Sequence, residues 1–394
     1  MKHLYFFDIY EEYSSGFTTF KEEFFSCFAN VESIRLHRLI LKYPVDEFKV
    51  AIEDDGVECF YIPIIKPSCF YQTILGTLLC RYIKDSCNVV FLLNAAPTFI
   101  LVSMLNEYFP QSKKIYVLHD FIWAHYLLGD MESFKQIVRH EKEHKYSDII
   151  LKAYEDNVKT FMSVDKIVCL SDDAYRLLNV FFQVPKSKLV IIYDAVRDFG
   201  TKCNLDTYKK ENGTLVFMAA GRVTLQKGMI DLLYGFKEVS KVYSQCLLVI
   251  AGYKGKEISN ELLASVEDNI LFLGNIGREE LYQWYQKADI GIIPSYYEQC
   301  GYVGIEMQMF GLPIVASDAF GVRSMFNSNN AIIANIGNRE NDEYRDNLKK
   351  ALIKAIGLSR KELEVYSYKS RKLYEKKYHI NNMRRKYLNL IINT

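Results

Sequence analysis

The sequence lacks most of the features that assign a function by composition alone. Its nine cysteines (27, 59, 69, 80, 87, 169, 203, 246 and 300) are odd in number, and no two stand as Cys-x-x-Cys. That excludes a disulfide framework and a paired-thiolate metal finger as organising devices. Cysteines set in apolar runs, such as Cys169 in Ile167-Val168-Cys169-Leu170, read as small core hydrophobes of a reduced protein. Charge of either sign is not in excess: the formal net charge is +1, so no global field calls for nucleic acid. The longest apolar stretch, Val89 to Leu105, carries Asn94 and Pro97 and is too short to span a bilayer. Asp8, Glu11 and Glu12 interrupt the only apolar start, so no signal-peptide pattern is present and the expected location is cytoplasmic. There is no internal repeat and no low-complexity tract.

What is present is an alternating α/β chain. At 394 residues it is too long for one ordinary core, and two domains of about 190 residues each are expected. Apolar runs at His3–Ile9, from Ala51, Val89–Leu93, Lys114–Leu118, Lys166–Leu170 and Leu189–Tyr193 read as strands, separated by helical patterns such as Glu132 to Val164. The polar, aperiodic stretch Asp194 to Asn212 reads as a linker. Alternation then restarts with Thr214–Ala220, Cys246–Ala251, Ile270–Leu273, Ile290–Pro294, Pro313–Ser317 and Ala331–Ile333. This pattern predicts parallel sheets with helices on both faces. The expected boundaries are 1–198, 199–377 and a C-terminal helix over 378–394. The 29 Tyr and 25 Phe are dispersed and read as core and cleft residues. From Arg360 to Thr394 ten Lys or Arg face three Glu. A solvated helical face is the ordinary account of such a run, and loose attraction to an anionic membrane surface or acceptor is the functional one.

The most informative segment is Pro294-Ser295-Tyr296-Tyr297-Glu298-Gln299-Cys300-Gly301-Tyr302-Val303-Gly304-Ile305-Glu306. Two carboxylates eight positions apart flank a Gly-containing loop, followed by an apolar helix face, a Gly311-Leu312-Pro313 stop and a buried strand. A strand, a Gly loop and a helix start form an anion site, because the first helical N–H groups lack partners. Two acids there suit a ligand that also carries hydroxyls. Upstream, Ala219-Ala220-Gly221-Arg222-Val223 follows an apolar strand, with Lys227-Gly228 five residues after Arg222. The stretch Ile270 to Ser295 reads strand, Gly274-Asn275 loop, helix, strand.

These three blocks, in this order over about half of the chain, resemble the signature of retaining family 4 glycosyltransferases of the GT-B fold (glycosyl transferases group 1). The resemblance implies two Rossmann-like domains with parallel sheets facing a central cleft, the donor nucleotide-sugar held by the C-terminal one. It implies that Arg222 and Lys227 meet the donor phosphates and that Glu306 accepts from the ribose. It implies further that Glu298 contacts the donor sugar, with backbone N–H groups of Gln299, Cys300, Gly301 and Tyr302 holding sugar hydroxyls or phosphate, and that Gly221, Asn275, Ile276 and Val303 complete the donor site. In the other domain it implies a strand-end His119 at the reacting centre and Gly16 near the pyrophosphate. The implied catalytic set is His119, Arg222, Lys227 and Glu298. His125, Trp123 and Asp120 lie just beyond His119 and are candidates for lining the acceptor cleft. Where many relatives carry two adjacent glycines this chain has only Gly16, and Tyr193-Asp194-Ala195 stands where an Asn-Gly pair is common.

The implied reaction moves a sugar from a nucleotide-sugar, UDP-sugar by default with GDP- or ADP-sugar as alternatives, to an acceptor hydroxyl with retention of configuration. The acceptor is a carbohydrate, a lipid-linked glycan or a polypeptide. No convincing Asp-x-Asp site occurs, and the cationic pair with a helix N-terminus can stand in for a divalent metal, so no metal or cofactor is expected. A non-catalytic GT-B subunit that binds a glycan or partner, and a sugar-nucleotide epimerase, are the other classes compatible with the architecture.

Overall fold

A computed structural model describes residues 1–10, 16–28, 31–64, 71–84, 86–94, 98–200, 213–255, 269–339 and 341–393. The chain forms two compact units. The first comprises Met1–Leu127, Met131–Tyr193 and Met383–Thr394, and the second Leu128–Asp130 and Asp194–Asn382.

The first unit is built on eight strands: β1 (Lys2–Ile9), β2 (Ile34–Tyr43), β3 (Lys49–Ile52), β4 (Glu58–Pro63), β5 (Val89–Leu93), β6 (Lys113–Leu118), β7 (Lys166–Cys169) and β8 (Leu189–Ile191). Their order is β3-β4-β2-β1-β5-β6-β7-β8. Every pairing is parallel except β3 with β4. That edge departs from the all-parallel expectation for a geometric reason. Glu53–Val57, with Gly56 at φ 79, is a tight turn and far too short for a crossover helix. β5 is buried along its whole length, which is why it reads as an unbroken apolar run.

β2 escapes a reading by periodicity because Arg35, His37, Arg38 and Lys42 interrupt it. The fold satisfies its buried polar group instead. His37 Nδ1 bonds Glu58 Oε2 at 2.7 Å, and its ring stacks on Tyr5 with centroids 4.3 Å apart. The helix expected over Glu132–Val164 is two helices, Met131–Val138 and Ser147–Ser163, parted at a charged turn where His140 takes φ 60. The helix Gly16–Phe28 lies against β1, with Phe6 and Phe24 centroids 5.1 Å apart. The C-terminal helix Ile380–Asn393 returns to this unit from Met383 onward: Tyr387 meets Phe24 edge-on at 5.0 Å, and Lys386 Nζ donates to the Ile191 carbonyl at 3.0 Å.

The second unit has six strands, all parallel: β9 (Leu215–Ala220), β10 (Cys246–Ala251), β11 (Ile270–Gly274), β12 (Ile290–Ile293), β13 (Ile314–Ser317) and β14 (Ile332–Ala334). Their order, β11-β10-β9-β12-β13-β14, runs outward in both directions from β9 and β12. Ligands of such sheets bind beyond the carboxyl ends of the strands at that switch point. The turns leaving those two ends carry Gly221-Arg222 and Pro294–Gly301. Among the described residues no helix is long and apolar enough to cross a membrane.

Candidate functional site

Glycines let the turns at the carboxyl end of the second sheet touch backbone to backbone. Gly221, at φ 118, leaves β9 and donates its N–H to the Ala251 carbonyl at 2.9 Å. Gly252 leaves β10, and a Cβ there would lie 1.8 Å from the Gly221 carbonyl oxygen. Gly228, at φ 64, precedes the helix Met229–Val242, and a Cβ on it would lie 1.8 Å from the Pro294 carbonyl oxygen. A Cβ on Gly321 would lie 1.7 Å from the Glu298 carbonyl oxygen. No side chain fits at Gly252, Gly228 or Gly321, and the positive φ at these three and at Gly221 suits glycine.

This close approach brings the β9 and β12 turns together. Lys227 Nζ meets Glu298 Oε1 at 2.5 Å, and Ser295 Oγ donates to the same oxygen at 2.8 Å. Glu298 is thus held through one carboxylate oxygen, while Oε2 has no hydrogen-bond partner among the described residues. Arg222 stands exposed on the turn after β9. After Glu298 the chain passes through Gly301, the N-cap of the helix Tyr302–Met309, with no side-chain cap. Among the described residues the N–H groups of Cys300 and Gly301 donate to no backbone carbonyl. Unpaired N–H groups at a helix start favour an anion.

Glu306 lies one turn into that helix and is buried. The helix Arg278–Lys287 presents two tyrosines to it: Tyr285 Oη donates to Oε2 at 3.2 Å and Tyr282 Oη approaches Oε1 at 3.5 Å. Burial, reinforced by the Glu306 charge, pushes the Tyr285 phenol well above its ordinary value, so it remains a donor. Further groups brace the loop from behind. Ser317 Oγ donates to the Ser295 carbonyl at 2.6 Å and Tyr344 Oη to the Pro294 carbonyl at 2.6 Å. Tyr296 Oη donates to Asp231 Oδ2 at 3.0 Å.

The remaining sequence candidates occupy distinct places. Asn275 and Ile276 follow β11 at the same end of the sheet, Asn275 exposed and Ile276 half-buried. Gln299 is turned inward, its amide donating to Tyr297 Oη at 2.9 Å. Cys300 is buried, and burial together with Asp194 raises its thiol well above the ordinary range, which suits a packing residue and not a nucleophile. Tyr302 and Val303 open the helix, both half-buried. The second unit therefore gathers Gly221, Arg222, Lys227, Glu298 and Gly301 on turns of one sheet end, with Glu306 in the first part of the helix that follows.

Gly16 and His119 belong to the first unit. Gly16 opens the helix Gly16–Phe28, and the polar loop before it, residues 11–15, lies outside the described residues. His119 ends β6, its Nε2 lying 2.6 Å from Asn94 Oδ1 at the end of β5 and its ring edge-on to Phe20 at 4.6 Å. Burial pushes this imidazole down to about 3 against the raising field of Asp120. It is neutral at physiological pH, with Nε2 as the donor to Asn94. Beyond it, His125 Nε2 pairs with the Asp120 carboxylate and Trp123 is buried.

Sequence reasoning did not single out Ser295, Tyr282, Tyr285 or Asn94. The two tyrosines stand three apart on one helix face, a visible spacing, but their target Glu306 is revealed only by tertiary packing.

Residues 204–372 match the family described as glycosyl transferases group 1. An uncharacterized glycosyltransferase of Methanocaldococcus jannaschii is 26% identical over 168 residues, covering 40% of this chain and 43% of the relative. A D-inositol 3-phosphate glycosyltransferase of Xylanimonas cellulosilytica is 32% identical over 116 residues, covering 28% and 27%. The chain spans less than half the length of these curated relatives. Over whole chains, sucrose-phosphate synthase from Thermosynechococcus elongatus superposes with a TM-score of 0.72 at 13% identity, covering 100% of this chain and 99% of that one. HepE of Anabaena, solved with UDP and glucose, superposes at 0.69 and 12% identity, covering both chains fully. The fold is GT-B.

Proposed function

We propose that the protein is a retaining glycosyltransferase that moves a sugar from a nucleoside-diphosphate donor, UDP-sugar first among the candidates, to an acceptor hydroxyl without a divalent metal. The observation that carries this reading is the Lys227–Glu298 pair at the β9/β12 switch point, beside the unpartnered N–H groups of Cys300 and Gly301.

The chemistry follows from these groups. Breaking the bond between the anomeric carbon and the diphosphate leaves extra negative charge on the distal phosphate. Arg222 supplies a planar fork, Lys227 a point charge and the helix start fixed N–H donors for that charge. Such preorganised donors act most strongly as the charge develops. Oε2 of Glu298 is open to accept from a sugar hydroxyl, because Lys227 and Ser295 occupy only Oε1. Glu306, oriented by Tyr285 and Tyr282, is placed to accept from the ribose. In the retaining reaction the acceptor oxygen bonds to the anomeric carbon on the face the diphosphate leaves, and its proton passes to the departing phosphate oxygen. His119, neutral and fixed by Asn94, offers hydrogen bonding and not charge. Known solved relatives of this fold include one with bound UDP and glucose, which supports a nucleotide-sugar as the donor class. The acceptor is a carbohydrate, a lipid-linked glycan or a polypeptide, met in the cytoplasm or at its membrane face.

A thermal-shift screen of nucleoside diphosphates and nucleotide-sugars tests the donor. A ligand at ~100 times its Kd adds about 2.7 kcal/mol of stability. Product analysis with and without sugar acceptors then separates transfer from epimerisation. No stabilisation by any nucleotide would leave a non-catalytic GT-B protein.

A further inference from the structure

Tyr296 stands two residues before Glu298, yet it reaches the other turn of the site on both sides of Lys227. Its backbone N–H donates to the Gln226 carbonyl at 2.9 Å, just before Lys227. Its hydroxyl donates to Asp231 Oδ2 at 3.0 Å, just after it. Asp231 lies in the first turn of the helix Met229–Val242, into which Lys227-Gly228 leads. Both partners are buried, Tyr296 at 7% and Asp231 at 8% exposure. Burial, reinforced by the Asp231 charge, pushes the Tyr296 phenol above its ordinary value, so the tyrosine is the donor. The bond is steadied at both ends. Arg345 Nη2 lies 3.5 Å from Asp231 Oδ1. The Tyr344 ring meets Tyr296 edge-on at 4.9 Å, and the Arg339 guanidinium lies over the Tyr296 ring, 5.4 Å from its centroid.

A buried bond that served the fold alone could join any two elements. This one joins the two turns whose side chains meet as Lys227 and Glu298, at 2.5 Å. We propose that Tyr296 and Asp231 are a positioning pair of the donor site: their hydrogen bond sets the Lys227 turn against the Glu298 loop and so keeps the lysine aimed at the departing phosphate. The proposal rests on the donor reading given above. A misplacement of about 1 Å far from the chemistry can slow a reaction by about a hundredfold. Tyr296→Phe keeps the ring and the main-chain bond to Gln226, and therefore deletes the side-chain tie by itself.

The test is a cycle of variants of the full chain. Wild type is assayed for release of nucleoside diphosphate from UDP-glucose, UDP-galactose, UDP-N-acetylglucosamine, GDP-mannose and ADP-glucose, and the fastest of these serves throughout. Tyr296→Phe should lower kcat by between about ten- and a hundredfold. Its calorimetric affinity for the free nucleoside diphosphate should stay nearly unchanged, because Glu306 and its two tyrosines are untouched. In a Lys227→Ala background Tyr296→Phe should cost little more, since the group it positions is gone and coupled effects do not multiply. Asp231→Ala should reproduce Tyr296→Phe, and combining the two should be no slower than Asp231→Ala alone. Melting curves check that each variant is folded at the assay temperature. Should Asp231→Ala fail to fold, the cycle of Tyr296→Phe with Lys227→Ala decides without it.

Wild-type kcat in Tyr296→Phe overturns the positioning role. So does the same fold-loss in both Lys227 backgrounds, which is what a merely structural tyrosine would give, and so does a loss of nucleotide affinity as large as the loss of kcat. In each of these cases wild type still turns over a donor and the donor reading stands. No release from any of the five donors by wild type overturns the donor reading and the positioning role with it.

Discussion

Lys227 and Glu298, 71 positions apart in sequence, meet at 2.5 Å where the turns after β9 and β12 converge. The pair means that the cation proposed for the phosphate and the acid proposed for the sugar are poised against each other before any ligand arrives. Replacing Lys227 with Ala should lower turnover about a hundredfold, the scale of losing one preorganised donor. Arg222→Ala should do the same without disturbing Glu298. Steady-state rates with the donor found by thermal shift provide the check, and wild-type rates in both variants would remove the phosphate assignment.

Glu306 and Glu298 should divide the donor between them. Glu306→Ala should weaken free UDP itself. Glu298→Gln should leave UDP affinity nearly unchanged and weaken the sugar-bearing donor or slow transfer. Tyr285→Phe deletes a hydrogen bond to a carboxylate, worth about 1.5–3 kcal/mol, and should weaken UDP by about tenfold or more. Calorimetry with UDP and the intact donor separates these effects. Equal losses for both acid variants on UDP alone would contradict the division.

Chelation should leave initial rates largely unchanged. In the proposed reaction the cationic side chains and helix start supply the positive charge that a metal would otherwise bring to the diphosphate. Rates measured with and without a strong chelator decide the matter. Abolition by chelator with recovery on adding Mn²⁺ or Mg²⁺ would refute the metal-free assignment.

His119 should shape the acid limb of stability. Its imidazole is neutral in the folded protein down to about pH 3, whereas the unfolded chain takes up the proton near 6.5. Below about pH 6.5 the unfolded state therefore binds more protons, and stability falls as pH drops through the window, by at most about 1.4 kcal/mol per unit from this residue. Urea unfolding at stepped pH should show a shallower acid loss in His119→Asn than in wild type. Identical slopes would mean that His119 is protonated in the fold.

The basic C-terminal run should not bind vesicles at physiological salt. Arg371 pairs with Asp198, Arg371 and Lys372 both pair with Glu375, and Arg360 pairs with Glu364. Lys386 is spent on the Ile191 carbonyl. Lys361, Lys369, Lys376, Lys377, Arg384 and Arg385 make none of these contacts, and a screening length of about 8 Å suppresses the weak attraction they can offer. Flotation with anionic vesicles at that ionic strength showing stable binding would overturn this, and loss of binding in an Arg384→Ala, Arg385→Ala variant would locate it.

The second unit was legible in the sequence almost strand by strand. Each of β9 to β14 ends within about one residue of the apolar run that marks it; the strands buried on both faces, such as β12 and β13, write an unbroken apolar word, and β11 reads the same way although it is half-exposed. The motif residues were legible for a related reason: Gly221, Gly228 and Gly301 punctuate turns at strand ends. What stayed hidden depends on partners distant in sequence. β2 carries four basic or imidazole side chains and becomes a strand only because Tyr5 and Glu58 accommodate His37. The break between Val138 and Ser147 follows from a charged segment with no apolar stripe to bury. The tyrosine clamp on Glu306 joins two helices, and no local pattern specifies where a tyrosine hydroxyl will land.

The backbone contacts of Gly228 with Pro294 and of Gly252 with Gly221 bear on how such a site can change. With main chain resting on main chain there is no intervening side chain to trim or enlarge, so substitution cannot retune the spacing between these turns by small steps. Any residue larger than glycine must displace a whole turn, and the neighbouring turns with it. Adaptation to a different nucleotide or sugar is thereby diverted outward, to positions with room to vary: the exposed Asn275 beyond β11, and Oε2 of Glu298, which its neighbours leave open. The rigid centre and the adjustable margin are consequences of the same three glycines, Gly228, Gly252 and Gly321.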